Sequence, residues 1–333
     1  MALTLEDIAR LSGVSRSTVS RVVNGDENVS PATRERVLNV IQQHNYQPNP
    51  AARRLAAGRT HTLGLVIADR TGTAFSNPYF SPIIQGVSNA CNQQEYSLML
   101  WLSNLQHEQR ILRQLTSTNL VDGVIVSFTL ANDPMIETLA RGILPFVVIG
   151  HHPTPAIHSV DLDHRKAAGL ATRHLLQHGY RRIATISGPL SQIAGQERLQ
   201  GFRQTLSEAG LLDERLIAAG NFDETSGYTA MQKLLPQNPQ GVFVANDVMA
   251  AGAYRAIKEA GLKIPDDIAV VGFDDIPLAA QLQPPLTTIR QPMQTLGTLA
   301  VQRLLDILHQ PDTPPQQLLL PPELIIRQSC PTH

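Results

Sequence analysis

Two arginines and two serines lie close together near the start of the chain, and their side chains suit contact with a nucleic acid. Gly13 separates an apolar helical pattern over residues 5–12 from a second pattern that runs from about Arg16 to Asn24. If the valines of the second helix face a core, its free polar residues are Arg16, Ser17, Ser20 and Arg21. Arginine and serine side chains bond to base edges or to phosphates. This spacing is typical of a helix-turn-helix, although a small helical domain with a solvated arginine face fits the same pattern.

The charge is distributed unevenly along the 333 residues. The first 60 residues contain eight arginines, no lysine and five acidic residues, which gives a net charge of +3. Of the 27 basic and 28 acidic residues in the whole chain, 19 and 23 remain after residue 60, a net charge of −4. A small basic head on a slightly acidic body suits a head that lies near phosphates.

Capping residues divide the first 47 residues into three short helices. Thr4 and Asp7 resemble a capping box, Ser15 can cap the second helix, and Ser30-Pro31 precedes the third. The segment 48–60, PNPAARRLAAGRT, combines linker prolines with a stretch of high helix propensity. Because about two turns are too few for a stable isolated helix, we expect a conditional helix here, with a plain flexible spacer as the alternative.

From residue 61 onward, short apolar runs alternate with helical patterns. Eight runs have the character of buried strands: 63–68, 96–102, 122–128, 145–150, 159–163, 182–188, 241–247 and 267–275. Fully apolar strands that alternate with helices predict a parallel sheet covered on both faces. Eight strands exceed one ordinary doubly wound sheet, and the proline-rich stretch 284–292 suits a crossing of the chain. We therefore predict an α/β body of two lobes with a cleft between them.

The sequence lacks the short motifs of common α/β enzymes. It has no G-x-G-x-x-G turn after its first strand, no G-x-x-x-x-G-K-[ST] loop, no H-E-x-x-H pair and no G-x-S-x-G elbow. Its two cysteines are too few for a disulfide framework. Neither a signal peptide nor an apolar run of about 18 residues is present. We expect a cytoplasmic protein without enzyme activity, and an α/β enzyme or a secreted binding protein is the alternative.

Histidines are frequent in two parts of the body. Four of them fall within residues 151–164, but acidic or cysteine partners are not at the spacing of a metal site. His174 and His178 share a helix face, and we expect both at the surface. No metal and no cofactor is therefore expected.

Longer stretches closely resemble the lactose/galactose repressor family of bacterial regulators. The resemblance begins with LEDIARLSGVSRSTVSRVVNG and VSPATRERVLNVIQQHNYQPNPAARRLAAGRT. It continues in NPYFSPIIQGV (77–87), HLLQHGYRRIATISGP (174–189), ERLQGF (197–202), VFVANDVMAAGAYRAI (242–257), IAVVGFDDI (268–276) and PPLTTIRQP (284–292). The motifs span nearly the whole chain. One departure is His164, where many relatives have asparagine.

The resemblance implies a fold and a division of the chain. The implied fold is an N-terminal all-α helix-turn-helix head and a two-lobed α/β body with parallel sheets, like the type I periplasmic binding proteins. The implied domains are a DNA-binding head at 1–47, a hinge helix or linker at 48–60, and an effector-binding and dimerisation domain at 61–330. Its N-lobe would comprise about 61–161 and 292–320, and its C-lobe about 162–291 and 321–330.

The resemblance also implies DNA contacts at named positions. Arg16 and Ser17 match the positions that begin the recognition helix, and Arg21 matches a DNA contact one turn later. Leu55 matches a hinge-helix leucine that wedges between base pairs in the minor groove. The full implied DNA-binding set is Thr4, Ser15, Arg16, Ser17, Ser20, Arg21, Asn24, Ala52 and Leu55.

The same resemblance implies an effector site between the lobes. Arg198 and Asp274 match the family's charged pair that holds polar groups of the effector. The full implied set is Tyr79, Phe80, Ser127, Asp163, Arg198, Phe222, Asn246, Asp274 and Gln291. Charged and amide groups with aromatic rings suit a polyhydroxyl ring. For single residues a structural role is the alternative, since Asp274 could cap a turn and Phe222 could belong to the core.

Taken together, the resemblance implies a homodimeric repressor that binds a palindromic operator and is controlled by a sugar or sugar derivative. A sugar is favoured over a purine because Gln192 and Ala194 stand where the family's purine-binding member has an arginine and a threonine. The alternatives are a purine or nucleoside effector, a phosphoprotein corepressor, and a sugar-binding protein without a DNA role. No membrane association is expected. We expect a dimer and not a tetramer, because no apolar heptad repeat follows the last strand.

Overall fold

The computed structural model describes residues 3–23, 25–26, 28–46, 59–68, 78–103, 108–117, 120–127, 130 and 133–331. By its internal contacts the chain divides into two units, Met1–Thr60 and His61–His333. No helix within these described ranges is long and apolar enough to cross a membrane.

The described residues of the first unit form three short helices. They are α1 Leu5–Ser12, α2 Arg16–Val23 and α3 Pro31–Gln43. The predicted caps are confirmed, because Thr4 and Asp7 form a reciprocal capping box and Ser30 caps α3. Gly13 ends α1 in the left-handed region, with a φ of 64°. The buried side chains that hold the three helices together are Ile8, Ala9, Val19, Val22, Val37 and Tyr46.

The second unit contains two six-stranded sheets, and the first is parallel throughout. Its strands are β1 Thr62–Ala68, β2 Ser97–Ser103, β3 Gly123–Ser127, β4 Phe146–Ile149, β5 Ser159–Leu162 and β11 Gln317–Leu320. Their order is β11-β5-β4-β3-β1-β2. The helices of this lobe are α4 Phe80–Gln93, α5 Glu108–Ser117, α6 Pro134–Arg141 and α12 Met293–His309.

The second sheet is parallel except at one edge. Its strands are β6 Ile183–Ser187, β7 Ile217–Ala219, β8 Gly241–Val244, β9 Ala269–Asp274, β10 Thr287–Arg290 and β12 Glu323–Ile325. Their order is β12-β10-β9-β8-β6-β7, with β12 antiparallel to β10. The helices are α7 His164–Gln177, α8 Ile193–Glu208, α9 Glu224–Leu234, α10 Asp247–Glu259 and α11 Pro277–Gln281.

The two-lobed α/β fold and the eight predicted strands are confirmed. The chain passes from one sheet to the other after β5, after β10 and after β11. The stretch 284–292, expected only as a crossing, contains strand β10. Because three segments join the lobes, their relative position can change only by coordinated rotation of these segments.

Helices α9 and α10 pack at close range through glycines. A Cβ atom at Gly252 would lie 2.0 Å from the carbonyl oxygen of Glu224, and one at Gly227 would lie 2.2 Å from that of Met249. Both distances are far shorter than any van der Waals contact, so the two backbones approach too closely for a larger residue.

We predict that Gly252→Ala lowers the free energy of unfolding by about 1–3 kcal/mol, because the added methyl group forces the helices apart. The control is Gly142→Ala, since Gly142 has a φ of −90° and its Cβ would meet its nearest atom at 3.4 Å. The control should stay within about 0.5 kcal/mol of the wild type. Urea denaturation measures both, and equal stability of the two variants would contradict the packing described.

Candidate functional site

The guanidinium of Arg198 lies in a buried polar cluster between the two lobes. The Arg198 side chain donates from Nη2 to the Gln291 amide oxygen at 3.2 Å and from Nε to His164 Nδ1 at 3.4 Å. Its Nη1 lies 3.4 Å from Asp274 Oδ1 and also donates to the carbonyl oxygen of Ala245. Arg198 is only 4% exposed. A buried charge is tolerated when it is paired and hydrogen-bonded in this way.

Residues of the second sheet reach this cluster from the carboxyl ends of its parallel strands. Asp274 is the last residue of β9, Asn246 follows β8, and Gln291 follows β10. Phe222 follows β7, and its ring centroid lies 5.5 Å from the Arg198 guanidinium carbon. In open α/β sheets, ligands bind at this edge.

Two of these residues have an unusual backbone conformation. Asp274 has a φ of 109° and Phe222 a φ of 61°, both in the region that favours glycine. Each such residue costs about 1–3 kcal/mol, and strain of this kind clusters at ligand sites. The Phe222 ring is half-buried and lies over Gly188, where a Cβ would come within 2.2 Å of the ring. Phe222 therefore contacts the core and also presents its ring toward Arg198.

The first lobe contributes a second set of polar groups. The Gln291 amide donates from Nε2 to the Tyr79 hydroxyl oxygen at 3.2 Å. Buried Asp161 of β5 lies 3.2 Å from His164 Nε2 and accepts from the His151 backbone N–H at 2.7 Å. The His151 ring lies 2.6 Å from the Glu197 carboxylate, which α8 supplies from the other lobe. Hydrogen bonds thus run without interruption from Arg198 through His164 and Asp161 to the residues after β4.

The carboxyl groups of the cluster differ in their pKa. Burial raises the pKa of Asp274 to about 6, although Arg198 and His164 oppose this effect. Burial also acts on Asp161, but His164 and two backbone N–H groups outweigh it and hold the pKa of Asp161 below its usual value. The hydrogen bond to Glu197 raises the pKa of His151. Burial also raises the pKa of the neighbouring Asp247, and the nearby Asp274 carboxylate adds to this effect. Within the cluster the pKa of Asp274 is therefore raised and that of Asp161 is lowered.

Other residues of the implied set have mainly structural contacts. Asn246 caps α10 by accepting from the Met249 N–H at 2.8 Å. The carboxylate of Asp163 caps α7, where it bonds to the backbone N–H and the Nζ of Lys166. Phe80, at 2% exposure, belongs to the core of the first lobe. Ser127 ends β3, and its buried Oγ has no hydrogen-bond partner among the described residues.

Sequence reasoning missed Asp161, Glu197 and the histidines 151 and 164 as members of this cluster. Asp161 could have been noticed as a carboxylate within the apolar strand SVDL. His164 was noted as one of four nearby histidines and as a departure from the family, and its partner Arg198 lies 34 residues away. Nothing in the local spacing indicates a contact over that separation.

The predicted DNA-reading face of α2 is exposed. The side chains of Arg16 and Arg21 are 71% and 59% exposed, and their ion-pair partners are Glu6 and Asp26. Ser17 is exposed, Ser20 is half-buried, and Val19 on the opposite face is buried. Of the other implied contacts, Thr4 and Ser15 cap α1 and α2. Asn24, Ala52 and Leu55 lie outside the described residues, as do residues 48–58 of the predicted hinge.

The chain matches two known families of domains. Residues 4–49 match the bacterial regulatory proteins of the lacI family, and residues 172–330 match the periplasmic binding protein-like domain. The first match covers the helices of the head. The second covers most of the second lobe and its connections, including Arg198, Asp274 and Gln291.

Several proteins are similar to this chain over nearly its whole length. The chain is 40% identical over 334 residues to the ribose operon repressor of Escherichia coli (strain K12), with 98% of this chain and 99% of the relative covered. The lac repressor dimer bound to operator and the anti-inducer ONPF is similar in structure, with a TM-score of 0.87, 31% identity and 100% of both chains covered. A complex of the transcriptional regulator CelR with cellobiose has a TM-score of 0.78 and 36% identity, over 98% of this chain and 99% of that one. The chain therefore belongs to the lacI family of bacterial regulatory proteins, and it is a transcriptional repressor and not an enzyme.

Proposed function

We propose that this repressor binds a carbohydrate in the cleft between its lobes and that the bound sugar changes its affinity for operator DNA. The observation that carries the proposal is the polar cluster around Arg198, at the carboxyl ends of the second sheet. Two similar proteins support a carbohydrate as the ligand class: the ribose operon repressor, and the transcriptional regulator CelR in complex with cellobiose.

The chemistry of the cluster suits a polyhydroxyl ring. Each sugar hydroxyl both donates and accepts a hydrogen bond, so its site needs donors beside acceptors. Arg198 supplies donors, Asp274 supplies an acceptor, and the Tyr79 hydroxyl and the Gln291 amide can do both. The buried Ser127 hydroxyl has a free hydrogen-bonding capacity among the described residues. The half-exposed ring of Phe222 offers the apolar surface on which sugar faces stack.

The DNA-binding half of the proposal rests on helix α2. Its exposed face carries Arg16, Ser17 and Arg21, which suit base edges and phosphates in the major groove. We propose that two copies of the chain place their α2 helices in the two halves of a palindromic operator. By family resemblance, Leu55 of each copy would wedge into the minor groove between them. Such a protein works in the cytoplasm, where bacterial DNA lies.

The two sites would be coupled through the relative position of the lobes. Contacts from Gln291 to Tyr79 and from Glu197 to His151 cross between the lobes beside the cluster. A ligand seated there gains different contacts when the lobes rotate, so it favours one arrangement over the other. If the hinge segments pair in only one arrangement, the ligand shifts the population that binds DNA.

The first experiment is a thermal-shift screen of the full chain against mono- and disaccharides, sugar phosphates, nucleosides and purines. A ligand that binds the folded state raises the unfolding midpoint by mass action. We expect a sugar to raise it. If only nucleobases do so, the carbohydrate proposal fails and the DNA-binding proposal stands.

We predict that Asp274→Asn weakens binding of that sugar by about 1.5–3 kcal/mol, because a charged acceptor is lost while the shape is retained. The matched control is Asp312→Asn, which changes an exposed carboxylate and should leave sugar binding unchanged. Isothermal titration calorimetry measures both. Unchanged affinity in Asp274→Asn would remove Asp274 from the site.

The raised pKa of Asp274 predicts two opposite pH dependences. The folded protein holds this proton up to about pH 6, whereas an ordinary aspartate releases it near 3.8. The stability contribution of this group is therefore lost as the pH rises from about 4 to 6. Sugar binding requires the ionised carboxylate, so the sugar affinity falls as the pH is lowered. The loss is up to about tenfold from pH 7 to pH 5. Buried Asp247 interacts with Asp274 and also has a raised pKa, so it keeps a stability slope of the same sign in the variant. Calorimetry at several pH values should therefore find a smaller loss of stability between pH 4 and 6, and a smaller weakening of sugar binding from pH 7 to pH 5, in Asp274→Asn than in the wild type. Identical profiles would contradict the assignment.

For the head, we predict that Arg21→Ala weakens binding to an operator selected from a randomised DNA pool. The loss should be about 1–3 kcal/mol of binding free energy if Arg21 reads a base. If Arg21 contacts a phosphate, the slope of log affinity against log salt concentration should instead become shallower by about one. Fluorescence anisotropy at two salt concentrations distinguishes these results. Arg141→Ala is the control, since Arg141 lies in the second unit and its side chain is 81% exposed. Wild-type operator affinity in Arg21→Ala would exclude this face of α2.

A further inference from the structure

Two imidazoles and a thiol meet at the C-terminal end of α7. Ligand atoms of His174, His178 and Cys330 all lie within 4.8 Å of one another. The sequence did not indicate this group, because Cys330 follows His174 by 156 residues. Nothing in the proposed function uses these three side chains.

The two histidines are arranged as a pair on one helix face. They lie four residues apart at the end of α7, and their ring centroids are 4.5 Å apart with the planes at 73°. The expectation that both lie at the surface is wrong for His174, which is only 5% exposed. The ring nitrogen Nε2 of His174 lies 2.9 Å from the carbonyl oxygen of Cys330. If Nε2 donates there, Nδ1 carries the lone pair, which is the usual orientation of a metal-bound histidine.

Hydrogen bonds of the C-terminal segment fix the position of Cys330. The Ser329 hydroxyl donates to the carbonyl oxygen of Val270 at 2.6 Å and accepts from the Thr287 N–H at 2.8 Å. The Cys330 carbonyl oxygen also accepts from the Thr287 hydroxyl at 3.2 Å. Because the segment is anchored to the second sheet, the thiol is held against α7 before any ligand arrives.

We propose that His174, His178 and Cys330 bind a zinc ion, with water as the fourth ligand. Two imidazoles and one thiolate are a ligand set that zinc favours, and an open fourth position is common when three protein groups bind it. Ligand atoms around tetrahedral zinc lie about 3.3–3.8 Å apart, so groups that lie within 4.8 Å of one another would move together by up to about 1.5 Å. His178 at the end of the helix is half-buried, whereas His174 and Cys330 are buried, so water would reach the ion from the side of His178.

Zinc binding at this site would release a proton. Zinc binds cysteine as the thiolate, whereas a cysteine without a metal ordinarily carries its proton at neutral pH. The ion must displace that proton to form the sulfur–zinc bond, and its apparent affinity therefore increases as the pH rises. The bound ion would join the C-terminal segment to α7 more firmly than the His174 hydrogen bond alone.

The test uses cobalt(II) as an optical substitute for zinc in the full chain after treatment with a chelator. A thiolate ligand gives cobalt a sulfur-to-metal charge-transfer band that nitrogen and oxygen ligands do not give. The chain has two cysteines, so each can be removed in turn. We expect one equivalent of cobalt to produce the band, zinc to displace it, and Cys91→Ser to retain it, since Cys91 lies in the core of the first lobe.

Two variants complete the design. Cys330→Ser should lose the band, and His178→Gln should weaken cobalt binding by at least roughly tenfold while the protein unfolds at an unchanged midpoint without metal. Absence of the band in the wild type would overturn the proposal, and so would a band that persists in Cys330→Ser. Wild-type metal affinity in His178→Gln would also overturn it, and His174 would then be only an anchor for the C-terminal segment.

Discussion

The buried charge of Arg198 is the constraint on which the cleft depends. A guanidinium stays ionised in any protein environment, so it must be paired and hydrogen-bonded wherever water is excluded. Asp274, Gln291, His164 and the Ala245 carbonyl meet this requirement from separate elements. Removing one partner of a buried charge commonly costs about 3–5 kcal/mol. The ends of β8, β9 and β10 are therefore fixed relative to α8 by one side chain.

The same side chain links the candidate site to both lobes. Gln291 and His164 are bonded to Arg198 on one side and to Tyr79 and Asp161 on the other. A ligand that enters the cluster must exchange some of these bonds for its own hydroxyl groups. The strained backbone of Asp274 is consistent with a carboxylate held in place for such an exchange. The lobes would then respond to the ligand because they share its hydrogen-bonding partners.

Much of the fold could be predicted from the sequence, because buried parallel strands are continuously apolar and helix caps are local. The elements that were missed are short or partly polar, such as β12, which has three residues at a sheet edge. Helical periodicity places Leu11 and Leu38 on apolar faces of the head. They are nevertheless 46% and 47% exposed, because periodicity does not show which side chains a neighbour covers. The cluster depends on contacts between distant residues, for example Arg198 and Gln291, which are 93 residues apart. Family resemblance supplied those two positions, whereas Asp161 and Glu197 required coordinates.

The central claim is that the cleft and the head are energetically coupled, and an operator titration with and without the sugar tests it most directly. Fluorescence anisotropy of labelled operator gives the DNA affinity of the full chain, and calorimetry gives the sugar affinity with and without operator. The account predicts that saturating sugar changes operator affinity by about 5–150-fold, and that operator changes sugar affinity by the same factor. A sugar that binds the cleft but leaves operator affinity unchanged would contradict the account.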